Sequence, residues 1–288
     1  MITNVLVIGL VNGLIYALFA VGLSLLFGVA RVISVVHGSF FMLGAYGVFA
    51  LGQWEMGPQF SLGPALAMTL FACALLAGVI YWLGIRPLSE APIAILLITF
   101  GVAMATQEGI RLLFGARPRS VPALMSGSTS LLGVPVQTSR LVAFVGSVVL
   151  LGALFLVLSR TKAGRAIHAV AQDRQGATLV GIRSAQALAL VFVAGSVLAA
   201  MAGMLAGPFL PVTPEMWLPP LVKAFAIVIL GGLGSLGGTL AAAVVISYSE
   251  ATVQFFVAPQ FSELVPLLAI LVILLVRPYG LFGQPEEA

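Results

Sequence analysis

One stretch of this sequence, SRTKAGRAIHAVAQDRQGATLVGIRSAQ at residues 159–186, is polar and basic, and apolar runs of membrane-crossing length flank it on both sides. It holds Arg160, Lys162, Arg165, Arg174 and Arg183 against one acid, Asp173. Hydrocarbon admits only backbones that satisfy their own hydrogen bonds, so the flanking runs must be helices. A loop dense in Lys and Arg stays on the cytoplasmic side, so the island also orients the chain. Only 8% of the 288 residues are charged and 61% are hydrophobic, whereas a soluble domain carries about a quarter charged residues. The chain has too little polar surface to face water, and its expected fold is an all-α, polytopic membrane bundle. At roughly 20 residues per span of a core about 30 Å thick, eight to ten spans fit in a single domain covering residues 1–288.

Apolar runs fall at about 5–28, 33–51, 62–84, 93–114, 141–158, 187–207, 221–233, 237–257 and 263–276. With the island inside, alternation also puts Arg31, Arg86 and Arg277 inside, and Arg117, Arg119 and Arg140 outside, with Arg111 and Lys223 near the outer edge. The N-terminus is then extracytoplasmic and the C-terminus cytoplasmic. The first run follows no basic segment and precedes no small-residue cleavage site, so it is expected to be a retained span. Runs 221–233 and 263–276 are short, and 33–51 carries His37, Gly38, Gly44 and Gly47; such segments are expected to be broken or re-entrant. The clearest break is ILGGLGSLGGTLAAA at 229–243, with Gly231, Gly232, Gly234, Gly237 and Gly238. Each glycine costs a helix interior about 0.8–1.0 kcal/mol relative to alanine. Gly232, Gly234 and Gly237 spell G-x-G-x-x-G, but the apolar flanks exclude the βαβ context of a dinucleotide site. Small-residue pairs such as Gly9/Gly13 and Gly234/Gly238 suit close helix contacts instead.

Polar residues within apolar runs carry the functional candidates, because an ionisable group near the bilayer centre costs about 2.5–3.5 kcal/mol. Glu108 and Arg111, beside Gln107, are spaced to pair on one helix face, or to take part in a solute path. Glu250, in VVISYSEATVQFF, has no cation within one helical turn. Its partner must come from another helix, from water or from a broken segment, and its role is structural hydrogen bonding or the lining or gating of a cavity. Asn12 and Tyr16 share a helix face, and His37 lies near the inner edge. In the island, Ala166, Ile167, Ala169, Val170 and Ala171 form an apolar stripe between Arg165 and Arg174, and Leu179, Val180 and Ile182 approach the water phase beside Gly181. An apolar knob with basic flanks suits a groove on a soluble partner; the plainer reading is a solvated loop that only sets topology.

Several chemistries are excluded. There is no phosphate loop, no H-E-x-x-H, no G-x-S-x-G, no arginine ladder and no potassium-filter sequence, so the chain is not expected to be an enzyme or to hold a nucleotide or other cofactor. The lone Cys73 rules out an internal disulfide, and His37 and His168 lie far apart. The net charge of +4 reflects loop bias, and no aromatic-interleaved basic patch suggests nucleic acid.

The chain resembles the membrane subunits of branched-chain amino-acid ABC transporters, specifically the first of the two related permeases. The likeness covers nearly the whole length. It rests on NGLIYALFAVGLSLLFGVARVISVVHGSFFMLGAY (12–46), Arg86-Pro87, SRTKAGRAIHAVAQDRQGATLVGI (159–182), KAFAIVILGGLGSLGGTLAAAVVISYSEA (223–251) and RPYGLFG (277–283). The resemblance implies an importer in the bacterial inner membrane, built with a second related permease, two cytosolic ATP-binding subunits that consume the ATP, and an extracytoplasmic solute-binding protein. It also implies that Arg165, Asp173, Arg174, Leu179, Val180, Gly181 and Ile182 contact an ATPase. The sequence departs from the family at Ser34 and Ser39, where an amide and an acid flank the histidine, and this leaves a urea or short-amide permease or passive channel as the alternative.

Overall fold

The computed structural model describes residues 2–53, 62–89, 91–121, 127–131, 133–277 and 279–283. Pro58 and Pro122, which the sequence marks as loop positions, lie outside them. Nine apolar helices match the nine runs: α1 (Ile2–Ala30), α2 (Val36–Gln53), α3 (Leu62–Ile80), α4 (Pro92–Phe114), α5 (Thr138–Arg160), α8 (Ser184–Ala206), α9 (Leu218–Gly231), α10 (Leu236–Phe256) and α11 (Leu264–Val276). Two short helices, α6 (Lys162–Gln172) and α7 (Arg174–Leu179), form the island. Among the described residues seven helices are long and apolar enough to cross a bilayer, with the helices at Val36–Ala50 and Leu218–Gly231 shorter. The chain is a multi-pass membrane protein. A departure from all-helical expectation is a small hairpin, β1 (Ser128–Leu131) with antiparallel β2 (Val134–Gln137). Alternating Val134 and Val136 are buried there against Val7, so period-two patterning wins locally.

α1 is the central post. It packs against α10, α8, α9 and α5, while α2 lies across α8. Small residues set these distances, as the Gly9/Gly13 pair suggests. A Cβ on Gly9 would fall 2.5 Å from Tyr248 and one on Gly13 3.3 Å from Ser247, both on α10. A Cβ on Gly203 of α8 would fall 1.9 Å from the Phe41 carbonyl oxygen of α2, and one on Gly44 2.0 Å from that of Ala200. The interior is therefore held by backbone-to-backbone approach, the packing term that replaces hydrophobic burial between helices in lipid.

Two expected breaks are corrected and a third is narrowed. The run at 33–51 does not break within: α2 is continuous, and Gly38 and Gly44 serve contact with Trp217 and Ala200. The irregular part precedes it. Arg31 adopts φ 51° and ends α1, and residues 31–34 are non-helical. The Val35 N–H is held by Thr99 Oγ1 at 3.3 Å. α2 then starts beside Phe19 and Gly22, about halfway along α1, with His37 Nε2 3.2 Å from the Phe19 carbonyl oxygen. In the glycine segment only residues 232–235 leave the helix. Gly231 ends α9, whereas Gly237 and Gly238 lie in the first turn of α10. Ser235 caps that turn, accepting the Gly238 N–H at 3.1 Å, and Gly231 presses on Gly238. Lastly, the short run at 263–276 forms one uninterrupted helix, preceded by a 3-10 turn at Pro259–Phe261.

The island is folded. Thr161 caps α6 by accepting the Gly164 N–H at 3.1 Å, and Asp173 caps α7 by accepting the Gln175 N–H at 2.9 Å. Gly164, Ile167 and Val170 are buried at helical spacing, seating α6 on α5, α1 and α8, while Lys162 and Arg165 face outward. Leu179 and Val180 protrude at 89% and 76% exposure, and Gly181 (φ 85°) turns the chain back. Ile182 does not join that knob; it packs half-buried against the core, because its N–H is drawn back to the Ala177 carbonyl.

Candidate functional site

A cavity of about 500 Å³ opens at the end of the bundle opposite the island. One face of α1 lines it: Asn12, Ile15, Tyr16 and Phe19 recur at helical spacing. The far wall is the connection from α8 to α9, including Phe209, Pro211, Thr213 and Met216. Prolines at 208 and 211 deny α8 a continuation, and Pro219 and Pro220 start α9 in its first turn. An antiparallel bridge between Arg119 and Val212, with two backbone bonds of 2.9 Å, pins this connection to the segment after α4. Arg140, in the first turn of α5, and Glu263, just before α11, complete the rim.

At one side three helices meet in a buried polar cluster. Lys223 Nζ of α9 lies 2.9 Å from Glu250 Oε1 of α10 and donates to Oε2 at 3.1 Å. The Oε1 contact is off the hydrogen-bonding direction, so its attraction is Coulombic. Tyr16 OH of α1 donates to Glu250 Oε2 at 2.9 Å and accepts from Lys223 at 3.2 Å. The ammonium also sits 4.9 Å from the centre of the Tyr16 ring, a cation–π distance. Glu250 thus finds its cation on another helix, as its isolation in sequence requires. Lys223, expected near the outer membrane edge, turns its side chain inward to Glu250 and is only 21% exposed.

Below the cavity, Phe19 and Phe41 form a floor, with ring centres 5.3 Å apart. Beneath it lies His37, 4.8 Å ring to ring from Phe19 and 1% exposed.

The model of the branched-chain amino acid transport system, permease component, family matches residues 5–275. The chain belongs to this family. It is 30% identical to the high-affinity branched-chain amino acid transport system permease protein BraD of Pseudomonas aeruginosa, over 98% of this chain and 95% of that one. It is 29% identical to the corresponding LivH protein of Escherichia coli K12, over 96% and 94%, and 26% identical to a probable LivH of Methanocaldococcus jannaschii, over 92% and 88%. Among solved structures, PsaBC from Streptococcus pneumoniae in complex with Fab superposes with a TM-score of 0.51 at 12% identity, over 97% of this chain and 94% of that one. That likeness concerns the fold alone.

Within the permease the sequence candidates separate. Asn12 and Tyr16 line the cavity, and Glu250 is bonded to Tyr16 behind its wall. Gln107 lies apart, accepting from Trp217 Nε1 and so anchoring the α8–α9 connection to α4. Glu108 and Arg111 do pair, at 3.8 Å, with both side chains more than half exposed and away from the cavity. A pair this exposed contributes little. Sequence reasoning did not select Arg140, Glu215, Lys223 or Glu263 as site residues. For Lys223 the signal was available, since an ionisable group inside an apolar run is a site candidate by default; the others sit at run boundaries, where charge is ordinary.

Proposed function

We propose that this permease is the membrane-spanning subunit of an ABC importer for branched-chain or related apolar amino acids. It resides in the cell inner membrane with the island in the cytoplasm. Its partners are a second related permease, two cytosolic ATP-binding subunits and an extracytoplasmic solute-binding protein. The names carried by the full-length relatives support the solute class, and a sequence with no phosphate loop is consistent with ATP use by separate subunits. None of the relatives named above is named for urea or an amide.

One observation carries the mechanism. α6 is seated on α5, α1 and α8, and those three helices carry cavity residues further along: Arg140 and Ala206 at the far ends of α5 and α8, and Asn12 to Phe19 along the middle of α1. A partner gripping the knob at Leu179 and Val180 therefore holds a lever on the cavity walls. A zwitterion cannot cross hydrocarbon unaided; nucleotide binding in the ATPase biases which end is open, and rigid-body motion of α6 transmits that bias. Replacing Leu179 and Val180 together with Asp should abolish leucine uptake and ATPase co-purification while the protein still inserts in the membrane. Persisting uptake with unchanged co-purification refutes the docking assignment. Solute flux through the purified chain alone in liposomes refutes the importer reading in favour of a channel.

A further inference from the structure

We propose that the cavity receives the zwitterionic head of the solute, with Arg140 taking its carboxylate and Glu215 and Glu263 its ammonium group. This rests on the transport reading above and deepens it.

The two cations of the cavity are in different states. Lys223 is already neutralised by Glu250. Arg140 has no carboxylate partner among the described residues: its Nη1 reaches Asn12 Oδ1 at 3.4 Å, and its guanidinium carbon lies 5.1 Å from the Phe209 ring centre. One long bond to a neutral oxygen leaves most of the five N–H donors of a guanidinium unused. Stacking on Phe209 holds the fork in place, and a fork is shaped to take both oxygens of a carboxylate. Glu215 and Glu263 line the same cavity, and neither pairs with a Lys or Arg among the described residues. A lone cation and two lone acids share one chamber without closing on one another. That arrangement is complementary to a ligand carrying both signs.

The rest of the lining fits the remainder of such a ligand. Ile15, Phe19, Phe41, Phe209, Met216 and Ile227 offer an apolar surface for an aliphatic side chain. The volume of about 500 Å³ lies within the few-hundred to thousand Å³ typical of small-molecule sites. The Phe19–Phe41 floor halts the solute there until it opens, so this is a transit site. A neutral amide offers no carboxylate to Arg140, and selection against urea follows from the same groups.

The test uses the complete transporter, with its ATPases and binding protein, in proteoliposomes. Arg140→Gln should lower kcat/KM for leucine uptake by about 10- to 100-fold, the loss expected for a charged hydrogen-bonded contact. Arg140→Lys should retain more, keeping the charge without the fork. Uptake by Arg140→Gln at the wild-type rate overturns the proposal. So does loss of binding-protein capture by that variant, which would make Arg140 a docking residue. A second measurement needs no transport: a Thr213→Cys thiol, in a Cys73→Ala background, is alkylated by an anionic methanethiosulfonate. Saturating leucine should shield it, and adding Arg140→Gln should slow the reaction several-fold; neither effect being seen overturns the proposal. If the wild-type complex takes up no leucine the transport reading fails, and the thiol reaction still reports whether the cavity accepts a zwitterion.

Discussion

Glu250→Gln should destabilise the permease far more than a polar-to-polar change on a lipid-facing surface. The substitution keeps the shape and removes the charge, leaving the Lys223 ammonium in a pocket where Glu250 is 8% and Lys223 21% exposed. Removing one partner of a buried pair costs about 3–5 kcal/mol, and an unpaired charge inside a membrane helix about 2.5–3.5 kcal/mol. Tyr16 OH remains beside the ammonium at 3.2 Å and the cavity admits water, so the lower figure, about 3 kcal/mol, applies. At about 2–4 °C per kcal/mol for a chain of 150–250 residues, the melting temperature of the detergent-purified protein should fall by roughly 6–12 °C. Lys223→Met alone should do similar harm by orphaning the carboxylate. The double variant, Lys223→Met with Glu250→Gln, carries no orphan charge and should cost only about 1 kcal/mol, an interaction of about 5 kcal/mol in a double-mutant cycle. Melting curves of the four proteins decide it. Additive single effects, or an unchanged melting temperature for Glu250→Gln, would show that the charges do not hold α9 to α10. Leucine uptake by the double variant then separates the two roles open to Glu250: full recovery makes the pair a structural clasp, and recovery of stability without transport makes it part of the gate.

Two further outcomes follow from the packing. Gly203→Leu should strip α2 from α8, since even a Cβ there lies 1.9 Å from the Phe41 carbonyl oxygen; overpacking of this kind costs about 1–3 kcal/mol or more, whereas Gly101→Ala, with nothing within 4 Å of its Cβ, should leave the melting temperature unchanged or raise it. Thr161→Ala removes the cap of α6 and should loosen residues 162–172 by about 1 kcal/mol, read as faster amide exchange there, with Thr161→Ser restoring protection.

The helices were legible because a membrane helix is a local object. Run length and apolarity alone set α1, α4, α5, α8 and α10 to within a few residues, and the glycine density at 231–238 located the turn between α9 and α10. The island was legible as basic and as knob-bearing, but Ile182 was not separable from Leu179 and Val180 by composition; only the turn at Gly181 sends one inward and leaves two out. Gly38 and Gly44 misled for a related reason. A glycine weakens a helix and also permits contact, and which of these matters depends on whether another backbone arrives beside it.

The site was less legible. Tyr16, Lys223 and Glu250 are separated by up to 234 positions, and the cavity takes residues from α1, α5, the α8–α9 connection and the segment before α11. The sequence by itself determined that this chain lives in lipid, where its helices run and which loop is basic, because hydropathy and charge are summed over neighbours. Tertiary structure alone decided which charges neutralise one another and which stay free. Coulomb attraction depends on the distance between groups that only packing brings together, so Lys223 is satisfied by Glu250 while Arg140, no more unusual in sequence, meets no acid among the described residues.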